Sequence, residues 1–544
     1  MKKNDNRSES DFVVHQLKKL LVVFTLILCC VVTGCANNVT GAAADAAENV
    51  TVEEDITETD ATVVTETDIT EDILAQFEEF TQIPRPSHHE EQISNYLFQW
   101  AKDHGFEVTQ DEENNIIFDV PATEGMEGAP ITALQAHMDM VFAVKEGLEL
   151  DPLTTKIVSK LDGNILSSDG NTSLGADDGI GLAIILQICE GKMSHGPLRI
   201  FVTTNEENGM TGAPAIKQEM LDEVAYMINI DSEEEGKVTV SSVAGTNYIY
   251  EETYEMTKPT AGNALLVEIK GLTGGHSGLD IDKQRGNANK LLSSALSAIF
   301  KKGIDPEIAS FDGGTANNAI ASSAKTVICL NEKEKTEKLL EEIFLDYKEA
   351  LKDTDPDMTF SVTDTQMPEK ALSVNDSKDF TMLFSEIPDG VYTWSEEIEN
   401  FPESSSNLGI LKLEDGKLHS ESYARSSSPE KKEKLEVIYR ENAEKYGNVE
   451  VILHKHSEAW AYNPDSRLLE ITKEAYKDLF GKDIEVLAIH AGLECGTFAA
   501  IKPGIALISI GPTIYNPHTI NEVCLTDTIE PVWKLIESIL TKLG

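Results

Sequence analysis

The chain has 544 residues, 41% of them hydrophobic, which is enough for two or more domains or for one domain with a large insertion. Its 94 acidic and 45 basic residues give a formal net charge of −49, and no cluster of Lys or Arg interrupts this acidity. Such a charge repels phosphate backbones and excludes nucleic acid as an expected partner. Acidity alone identifies no substrate, since a solvated acidic surface explains it.

The N-terminal residues carry the pattern of an export signal. Lysines precede the apolar run LLVVFTLILCCVV, which is shorter than the roughly 20 residues of a membrane-spanning helix and suits a signal peptide. The run ends at Val32-Thr33-Gly34-Cys35, which resembles a bacterial lipobox. We expect residues 1–35 to be a lipoprotein signal peptide and Cys35 to be lipidated. The exported protein would then be held at the outer face of the cytoplasmic membrane by lipid alone. An uncleaved N-terminal anchor is the alternative.

Residues 36–70 are predicted to form a disordered acidic tether. The segment consists chiefly of Ala, Thr, Val, Asp and Glu and has no Lys, Arg or aromatic residue. It cannot bury enough apolar surface to order itself. As a coil it would reach on the order of 30 Å, which would hold the rest of the protein clear of a membrane surface.

An alternation of strands and helices follows two predicted helices at Ile73–Phe80 and His89–His104. The strands ITALQA, PLRIFVTT and AYMINI are separated by the helical patterns LGADDGIGLAIILQICEG and MTGAPAIKQEMLDE. This order is typical of an α/β sheet with short crossovers. Each strand is followed by polar side chains: His137 after the first, Glu206 and Glu207 after the second, and Asp231 after the third. Because open α/β sheets bind ligands at the carboxyl ends of their strands, we expect these ends to form one site.

The pattern changes at about residue 245 and resumes at Trp460. The intervening residues contain the glycine-rich turns GLTGGHSG and DGGTANNA and charged helices such as EKEKTEKLLEEIFLDYKEALKD. Afterwards come VLAIHAGLECGTFAAI, GIALISIGPTIYNPHT and a closing amphipathic helix, IEPVWKLIESILTKL. We therefore predict an α/β domain, a mixed sheet flanked by helices, built from residues 71–244 and 459–544. Residues 245–458 would be an inserted α+β domain.

Five side chains form a candidate metal-ligand set: His137, Asp177, Glu207, Asp231 and His518. Two imidazoles and three carboxylates suit zinc, with cobalt or manganese as alternatives. Taken singly, each has an ordinary explanation. A histidine at a strand end is usually structural, Asp177-Asp178 is most often a helix N-terminal cap, and adjacent glutamates usually form a solvated turn.

The order of the motifs shifts this balance towards a metalloenzyme. AHMDMV, LGADDGIGLA, TTNEENGM, INIDSEEEG, GLTGGHSG, IHAGLECG and SIGPTI occur in this order from about Ile73 to the end of the chain. Together they resemble the co-catalytic zinc peptidases that include carboxypeptidase G, peptidase T and the aminoacyl-histidine dipeptidases, and they match the last group best. The resemblance implies that the α/β domain is catalytic and that the insertion is a lid through which a homodimer forms.

The resemblance also implies a role for each ligand at a centre of two zinc ions. His137 and Asp231 would hold one ion, Glu207 and His518 the other, and Asp177 would bridge the two. In the same family pattern Asp178, next to the bridging residue, is a helix cap or packing partner.

Further roles follow from the same resemblance. Asp139 would accept the second ring N–H of His137 and fix its tautomer. Glu206 would be the general base that takes a proton from the attacking water. His276 would stabilise the oxyanion, with a structural turn histidine as the alternative. Asn318 and Arg425 would hold the terminal carboxylate of the substrate, a task that suits the arginine fork.

The sequence departs from the dipeptidase pattern near the expected substrate pocket. The usual GGTxRNAIPR is GGTANNAIAS here, with Asn317 in place of arginine and Ala321 in place of proline. The usual GPTIRGAHSPDE is GPTIYNPHTINE, with Tyr515 in place of arginine. Two cationic positions are lost, which should redirect substrate selection rather than alter the metal chemistry.

The sequence therefore predicts a zinc-dependent dipeptidase, of Xaa-His or broad preference, that hydrolyses short peptides. A related tripeptidase, carboxypeptidase or amide hydrolase is the alternative within the enzyme class. A surface lipoprotein that binds peptides without cleaving them is the alternative outside it. A binder would have no need of Glu206 beside a full set of five ligands, which favours the enzyme.

Overall fold

Two large β-sheets, a small four-stranded sheet and the helices packed against them lie within residues 68–447, 449–455 and 457–544, which the computed structural model describes. These residues belong to one unit, Glu66–Gly544. The predicted signal peptide, Cys35 and nearly all of the predicted tether lie outside the described residues. Within the described ranges, no helix has both the length and the apolar character needed to cross a membrane.

Helices and strands alternate through most of this region. The helices are α1 Ile69–Thr81, α2 Glu91–Asp103, α3 Ala176–Cys189, α4 Ala288–Lys301, α5 Lys333–Ala350, α6 Val374–Glu386, α7 Pro429–Lys445, α8 Arg467–Phe480, α9 Glu494–Ile501 and α10 Ile529–Leu543. The strands are β1 Val108–Gln110, β2 Ile116–Val120, β3 Ile131–His137, β4 Ser159–Asp162, β5 Ile165–Ser168, β6 Leu198–Thr203, β7 Val224–Asn229, β8 Lys237–Ser242, β9 Ala244–Thr253, β10 Asn263–Lys270, β11 Glu307–Gly313, β12 Ala324–Leu330, β13 Thr359–Asp364, β14 Gly390–Trp394, β15 Pro402–Glu414, β16 Lys417–Ser426, β17 Glu450–Lys455, β18 Glu485–Ile489, β19 Ala506–Ser509, β20 Ile514–Tyr515 and β21 Val523–Leu525.

The first sheet has eight strands in the order β1-β2-β6-β3-β7-β19-β8-β18. At its centre β3 runs parallel to both β6 and β7, while β2 pairs with β6 antiparallel. Strand β3 is buried along nearly its whole length, as expected for a parallel strand covered on both faces. Helix α3 is buried at every position and packs against α1, so it is a core helix rather than an amphipathic one. These features confirm the predicted mixed sheet flanked by helices.

One predicted helix is wrong. The stretch MTGAPAIKQEMLDE forms two short 3-10 turns, Ala213–Ala215 and Gln218–Met220, between β6 and β7. Pro214 lacks a backbone N–H for a helical hydrogen bond. The backbone at Gly212 also lies against β6, because a Cβ there would stand 2.3 Å from the carbonyl oxygen of Thr204.

The second sheet has nine strands, in the order β13-β10-β12-β11-β15-β16-β9-β17, with β14 paired to β15. Helices α4, α6 and α7 contribute to its separate hydrophobic core, in which Tyr439 of α7 stacks on Tyr248 of β9 at 4.2 Å between ring centroids. The chain passes from the first sheet to the second between β8 and β9 and returns after β17. Ser242 and Trp460 join the two passages through a pair of backbone hydrogen bonds, each 3.1 Å long.

Candidate metal centre

Three of the predicted ligands lie at the carboxyl ends of neighbouring parallel strands. His137 is the last residue of β3, Glu207 follows β6, and Asp231 follows β7. The order β6-β3-β7 places His137 between the two acidic residues. The Nε2 atom of His137 lies 3.4 Å from Oδ1 of Asp231. The convergence expected from the sequence is present in the structure.

Asp177 lies between the two histidines. It is the second residue of α3, and its Oδ1 atom is 3.3 Å from Nε2 of His137. Its other oxygen, Oδ2, is 3.0 Å from Nε2 of His518, which also lies 2.8 Å from Oε1 of Glu207. The two oxygens of this one carboxylate therefore face two different histidines, as a bridging ligand requires.

Burial and charge favour a cation at this cluster. The side chains of His137, Asp177, Glu207 and Asp231 are 1%, 7%, 4% and 6% exposed, whereas that of His518 is 45% exposed. Burial raises the pKa of Asp231 to about 6 and that of Glu207 to about 7, because the charged forms are poorly solvated. Hydrogen bonds to Asp177 and Glu207 outweigh burial at His518 and raise its pKa to about 11. Two imidazoles and three carboxylates that lie this close together are donors suited to divalent ions.

Two sets of three ligand atoms come within 4.8 Å of one another among the described residues: His137, Asp177 and Glu207, and His137, Asp178 and Asp231. Asp178 is thus close enough to be considered a ligand. Its Oδ2 atom, however, accepts the backbone N–H of His137 at 3.3 Å, which is a packing role. Asp177 and Asp178 do not form the helix N-terminal cap considered from the sequence. Neither side chain caps α3, and the first backbone N–H groups of this helix donate to Glu522 instead.

Asp139 connects the ends of β3 and β6. Its Oδ1 atom lies 3.3 Å from Nδ1 of His137 and accepts the backbone N–H of Glu206 at 3.0 Å. Its Oδ2 atom accepts the backbone N–H of Glu207 at 3.3 Å and the hydroxyl of Ser87 at 2.8 Å. This fully buried carboxylate therefore lies against the ring of His137 and fixes the turn that carries both glutamates.

Glu206 lies beside the ligands without an ion-pair partner among the described residues. Burial and the nearby carboxylate of Asp231 raise the pKa of Glu206 well above its usual value. A carboxylate with a raised pKa is a stronger proton acceptor when ionised. This environment suits a base.

Sequence reasoning missed four residues that support the cluster, of which Arg85, Glu90 and Glu522 are buried and Ser87 is half-buried. Ser87 contacts Asp139, and Glu90 accepts the backbone N–H of Asn205 at 2.9 Å, just before the adjacent glutamates. Arg85 and Glu522 hold the backbone around the start of α3. The one available signal was composition: PRPSHHE places an arginine and a glutamate in a proline-rich turn next to two amphipathic helices.

The predicted substrate-binding residues form a second group on the nine-stranded sheet. Nδ1 of His276 lies 3.2 Å from the backbone N–H groups of both Gly278 and Leu279, so it acts as an acceptor and the ring proton sits on Nε2. Burial and the charge of Arg425 lower the pKa of His276, which favours the neutral ring. The backbone carbonyl of Asn318 accepts the N–H of Ser277 at 2.8 Å, so the two glycine-rich turns lie together, although the Asn318 side chain is exposed.

Arg425 is a buried cation in this second group. Its guanidinium lies 4.4 Å from the ring centroid of Tyr423, its Nε has no hydrogen-bond partner, and it has no ion pair with any described residue. A buried guanidinium without a carboxylate is costly unless a ligand supplies one. Next to it lies His490, whose Nε2 is 2.6 Å from the hydroxyl of Ser405 and whose Nδ1 is unpartnered.

A cavity of about 580 Å³ lies elsewhere, among α7, β17, α8 and the end of α9. Trp460 and Leu469 are among its apolar lining residues, and Lys432 and Glu436 are among its charged ones. None of the candidate ligands lines it. The candidate metal centre and this cavity are therefore separate sites.

Comparison with known proteins agrees with this site. The sequence profile of Peptidase family M20/M25/M40 matches residues 133–542. The cytosol non-specific dipeptidase of Escherichia coli (strain K12) is 32% identical over 473 residues, covering 86% of this chain and 96% of that protein. The crystal structure of aminoacylhistidine dipeptidase from Vibrio alginolyticus superposes with a TM-score of 0.82 at 30% identity, covering 89% of this chain and 99% of that one.

A more distant structure shares the fold alone. Aminopeptidase PepT from Bacillus cereus is 17% identical, with a TM-score of 0.51 over 87% of this chain and 98% of its own. The family match and the two closer relatives confirm the peptidase resemblance drawn from the ordered motifs. The chain therefore belongs to Peptidase family M20/M25/M40 and is a hydrolase that acts on peptide bonds.

Proposed function

We propose that this protein is a dinuclear, zinc-dependent dipeptidase with Glu206 as its general base. The observation that carries the proposal is the position of Asp177, whose two oxygens lie 3.3 Å from His137 and 3.0 Å from His518. His137 and Asp231 would hold one ion, and Glu207 and His518 the other. When bound, the ions supply a Lewis acid for the scissile carbonyl and lower the pKa of the attacking water.

Glu206 would move the proton. Its carboxylate takes a proton from the attacking water and returns it to the amine that leaves when the peptide bond breaks. The backbone N–H of Glu206 is fixed on Asp139 at 3.0 Å, so the side chain starts from a rigid point. The raised pKa that burial and Asp231 give Glu206 supports this role.

His276 and Arg425 would recognise the peptide. With Nδ1 accepting two backbone N–H groups, Nε2–H of His276 is free to donate to the oxyanion that forms at the carbonyl. The unpaired guanidinium of Arg425 would bind the terminal carboxylate of a short peptide, and Asn318 stands on the adjoining turn. A fixed distance between this carboxylate site and the scissile bond would favour dipeptides over longer peptides.

The relatives support a dipeptide as the substrate class. The Escherichia coli relative is named a non-specific dipeptidase and the Vibrio alginolyticus one an aminoacylhistidine dipeptidase. Where the dipeptidase pattern has arginine, this chain has the uncharged Asn317 and Tyr515, and Tyr515 is 52% exposed. We therefore propose a substrate preference that differs from those of the relatives, with the bond cleaved unchanged.

A substrate panel tests the proposed function. The purified protein, loaded with zinc, is offered β-Ala-His, several L,L-dipeptides, a tripeptide and an N-acylated amino acid. We expect dipeptides to be hydrolysed and a chelator to abolish turnover. Hydrolysis of the tripeptide or the acyl amino acid alone would point to the related enzyme classes. Turnover that survives the chelator would disprove the metal-dependent mechanism.

We also propose that the protein is exported and held at the membrane by a lipid on Cys35, where it would hydrolyse extracellular peptides. The support is the sequence alone, Val32-Thr33-Gly34-Cys35 after an apolar run. Cys35→Ser is expected to block processing or to release the protein from the membrane fraction. Unchanged membrane retention of this variant would favour an uncleaved anchor.

A further inference from the structure

Glu522 binds four consecutive backbone N–H groups at the start of α3. Its carboxylate accepts those of Leu174, Gly175, Ala176 and Asp177 at 2.9, 3.0, 2.7 and 3.3 Å. The side chain is 2% exposed. Glu522 also lies four residues after His518, in a turn closed by a hydrogen bond from its own N–H to the carbonyl of Thr519. One carboxylate thus ties the turn that carries His518 to the loop that carries Asp177.

Arg85 holds the same loop from the opposite side. Its Nη2 donates to the carbonyl oxygen of Gly175, and its Nη1 donates to those of Met138 and Asp139 at 3.0 and 2.8 Å. Arg85 is also 2% exposed. The guanidinium thus ties the Asp177 loop to the residues that directly follow His137.

The space for this guanidinium depends on two glycines. A Cβ at Gly175, where φ is +73°, would stand 2.8 Å from Nη2 of Arg85 and 2.7 Å from Sδ of Met140. A Cβ at Gly179 would stand 2.6 Å from the same Nη2. A side chain at either glycine would displace the guanidinium from the position in which it binds the loop, so GADDG leaves room for Arg85.

The two charges are buried without a direct ion pair. Neither Arg85 nor Glu522 has a salt-bridge partner among the described residues, and the peptide groups of the loop lie between them. Burying a charge costs several kcal/mol unless it is well hydrogen-bonded, and apolar side chains would fill the same space at lower cost. The contacts of Arg85 and Glu522 instead connect the residues next to His137 and His518 to the loop that carries Asp177.

We propose that Arg85 and Glu522 are positioning residues that hold Asp177 between His137 and His518 and thereby allow the protein to bind two metal ions at once. The inference rests on the proposed function for the identity of the site. Without Glu522, the Asp177 loop and the His518 turn are free to separate. The ion held with His518 should then bind more weakly than the ion held with His137.

The experiment compares the full-length protein with Glu522→Gln, Glu522→Asp and a matched control, Glu307→Gln. Glu307 is 4% exposed and accepts the backbone N–H groups of Thr260 and Ala261, but it lies on β11 of the second sheet. Zinc binding is measured by equilibrium dialysis with elemental analysis, and stability by the Tm of the metal-free proteins. kcat and KM are measured on a dipeptide at low and high zinc.

Glu522→Gln is expected to keep one zinc ion at wild-type affinity and to bind the second about 10- to 100-fold more weakly. Its kcat should fall at low zinc and recover at high zinc, with KM unchanged. Glu307→Gln should lower the Tm without changing either zinc affinity. If Glu522→Gln does not fold, Glu522→Asp, which keeps the charge with a shorter reach, should show the same weakening of the second ion.

Two unchanged zinc affinities in the folded variant, whatever its Tm, would show that Glu522 serves stability alone and would overturn the inference. If the wild type binds two ions and the variant loses one, but neither hydrolyses a dipeptide, the inference stands and the proposed function falls. A wild type that binds fewer than two zinc ions overturns both.

Discussion

Asp139→Asn most directly tests whether a residue that orients the metal ligands, without binding metal itself, affects metal affinity. Each oxygen of the carboxylate serves two partners: Oδ1 serves His137 and the N–H of Glu206, and Oδ2 serves the N–H of Glu207 and the hydroxyl of Ser87. Asparagine keeps one of these oxygens and replaces the other with an NH₂ group. Neither orientation of the amide satisfies both backbone N–H groups.

The cost follows from these contacts. One buried N–H is left facing another donor, at about 1–3 kcal/mol, and the contacts that remain lose the charge of the acceptor, at about 1 kcal/mol each. We therefore expect the unfolding free energy to fall by roughly 2–5 kcal/mol. Because His137 also loses an anionic partner, we expect zinc affinity to fall by about 10- to 100-fold.

Urea denaturation of the metal-free protein and zinc titration measure the two effects. Asp355→Asn is the matched control, because Asp355 is 1% exposed and accepts the N–H groups of Thr273 and Gly286 and the hydroxyl of Thr354, each at 2.8 Å. The control should lose comparable stability and keep its zinc affinity. Equal zinc affinity in wild type and Asp139→Asn would refute the orienting role of Asp139.

Three further outcomes are expected. Glu206→Gln should keep its zinc and lose about 10²- to 10⁴-fold in kcat, and near-normal turnover would remove Glu206 from the base role. Arg425→Gln should lower kcat/KM for dipeptides by about 10- to 100-fold and leave a substrate without a free carboxylate unaffected; equal losses on both would contradict the carboxylate site. Burial raises the pKa of Glu494 to about 8, so its stabilising effect is fully present below the usual pKa of glutamate and is lost as the pH rises through 8. Between pH 5 and 8 the unfolding free energy of the metal-free wild type should decline with pH, and Glu494→Gln should make this decline about 1 kcal/mol per pH unit smaller. Urea denaturation at several pH values measures the slope. An unchanged slope in the variant would show that Glu494 does not titrate in this range.

One part of the site could be predicted from strand patterns alone, whereas Asp177 and His518 were identified through the ordered motifs. His137, Glu207 and Asp231 stand directly after apolar runs, and parallel pairing of β3, β6 and β7 is enough to bring them together. The turns between β6 and β7 were harder to foresee, because MTGAPAIKQEMLDE has helical periodicity. Pro214 and the close fit of Gly212 against Thr204 oppose a helix there.

The supporting residues could not be predicted in the same way. Arg85 and Glu522 act on backbone groups that lie 90 and 347 residues away from them at Gly175. Every residue type has the same backbone groups. A side chain that binds them therefore needs no particular residue type as its partner, and the sequence shows no pair of residues from which the contact could be predicted. The same holds for Glu90, whose partner is the N–H of Asn205.

His518 is the solvent-exposed member of the candidate ligand set. Four candidate ligands are almost completely shielded from solvent, whereas nearly half of the His518 side chain is in contact with it. A chelator in solution therefore meets His518 before the other four candidate ligands. On dilution or chelation the ion shared with His518 should depart first and return last, so the protein should pass through a one-ion stage in both directions. Loading the second ion would then be the step at which the supply of metal decides whether the enzyme is active.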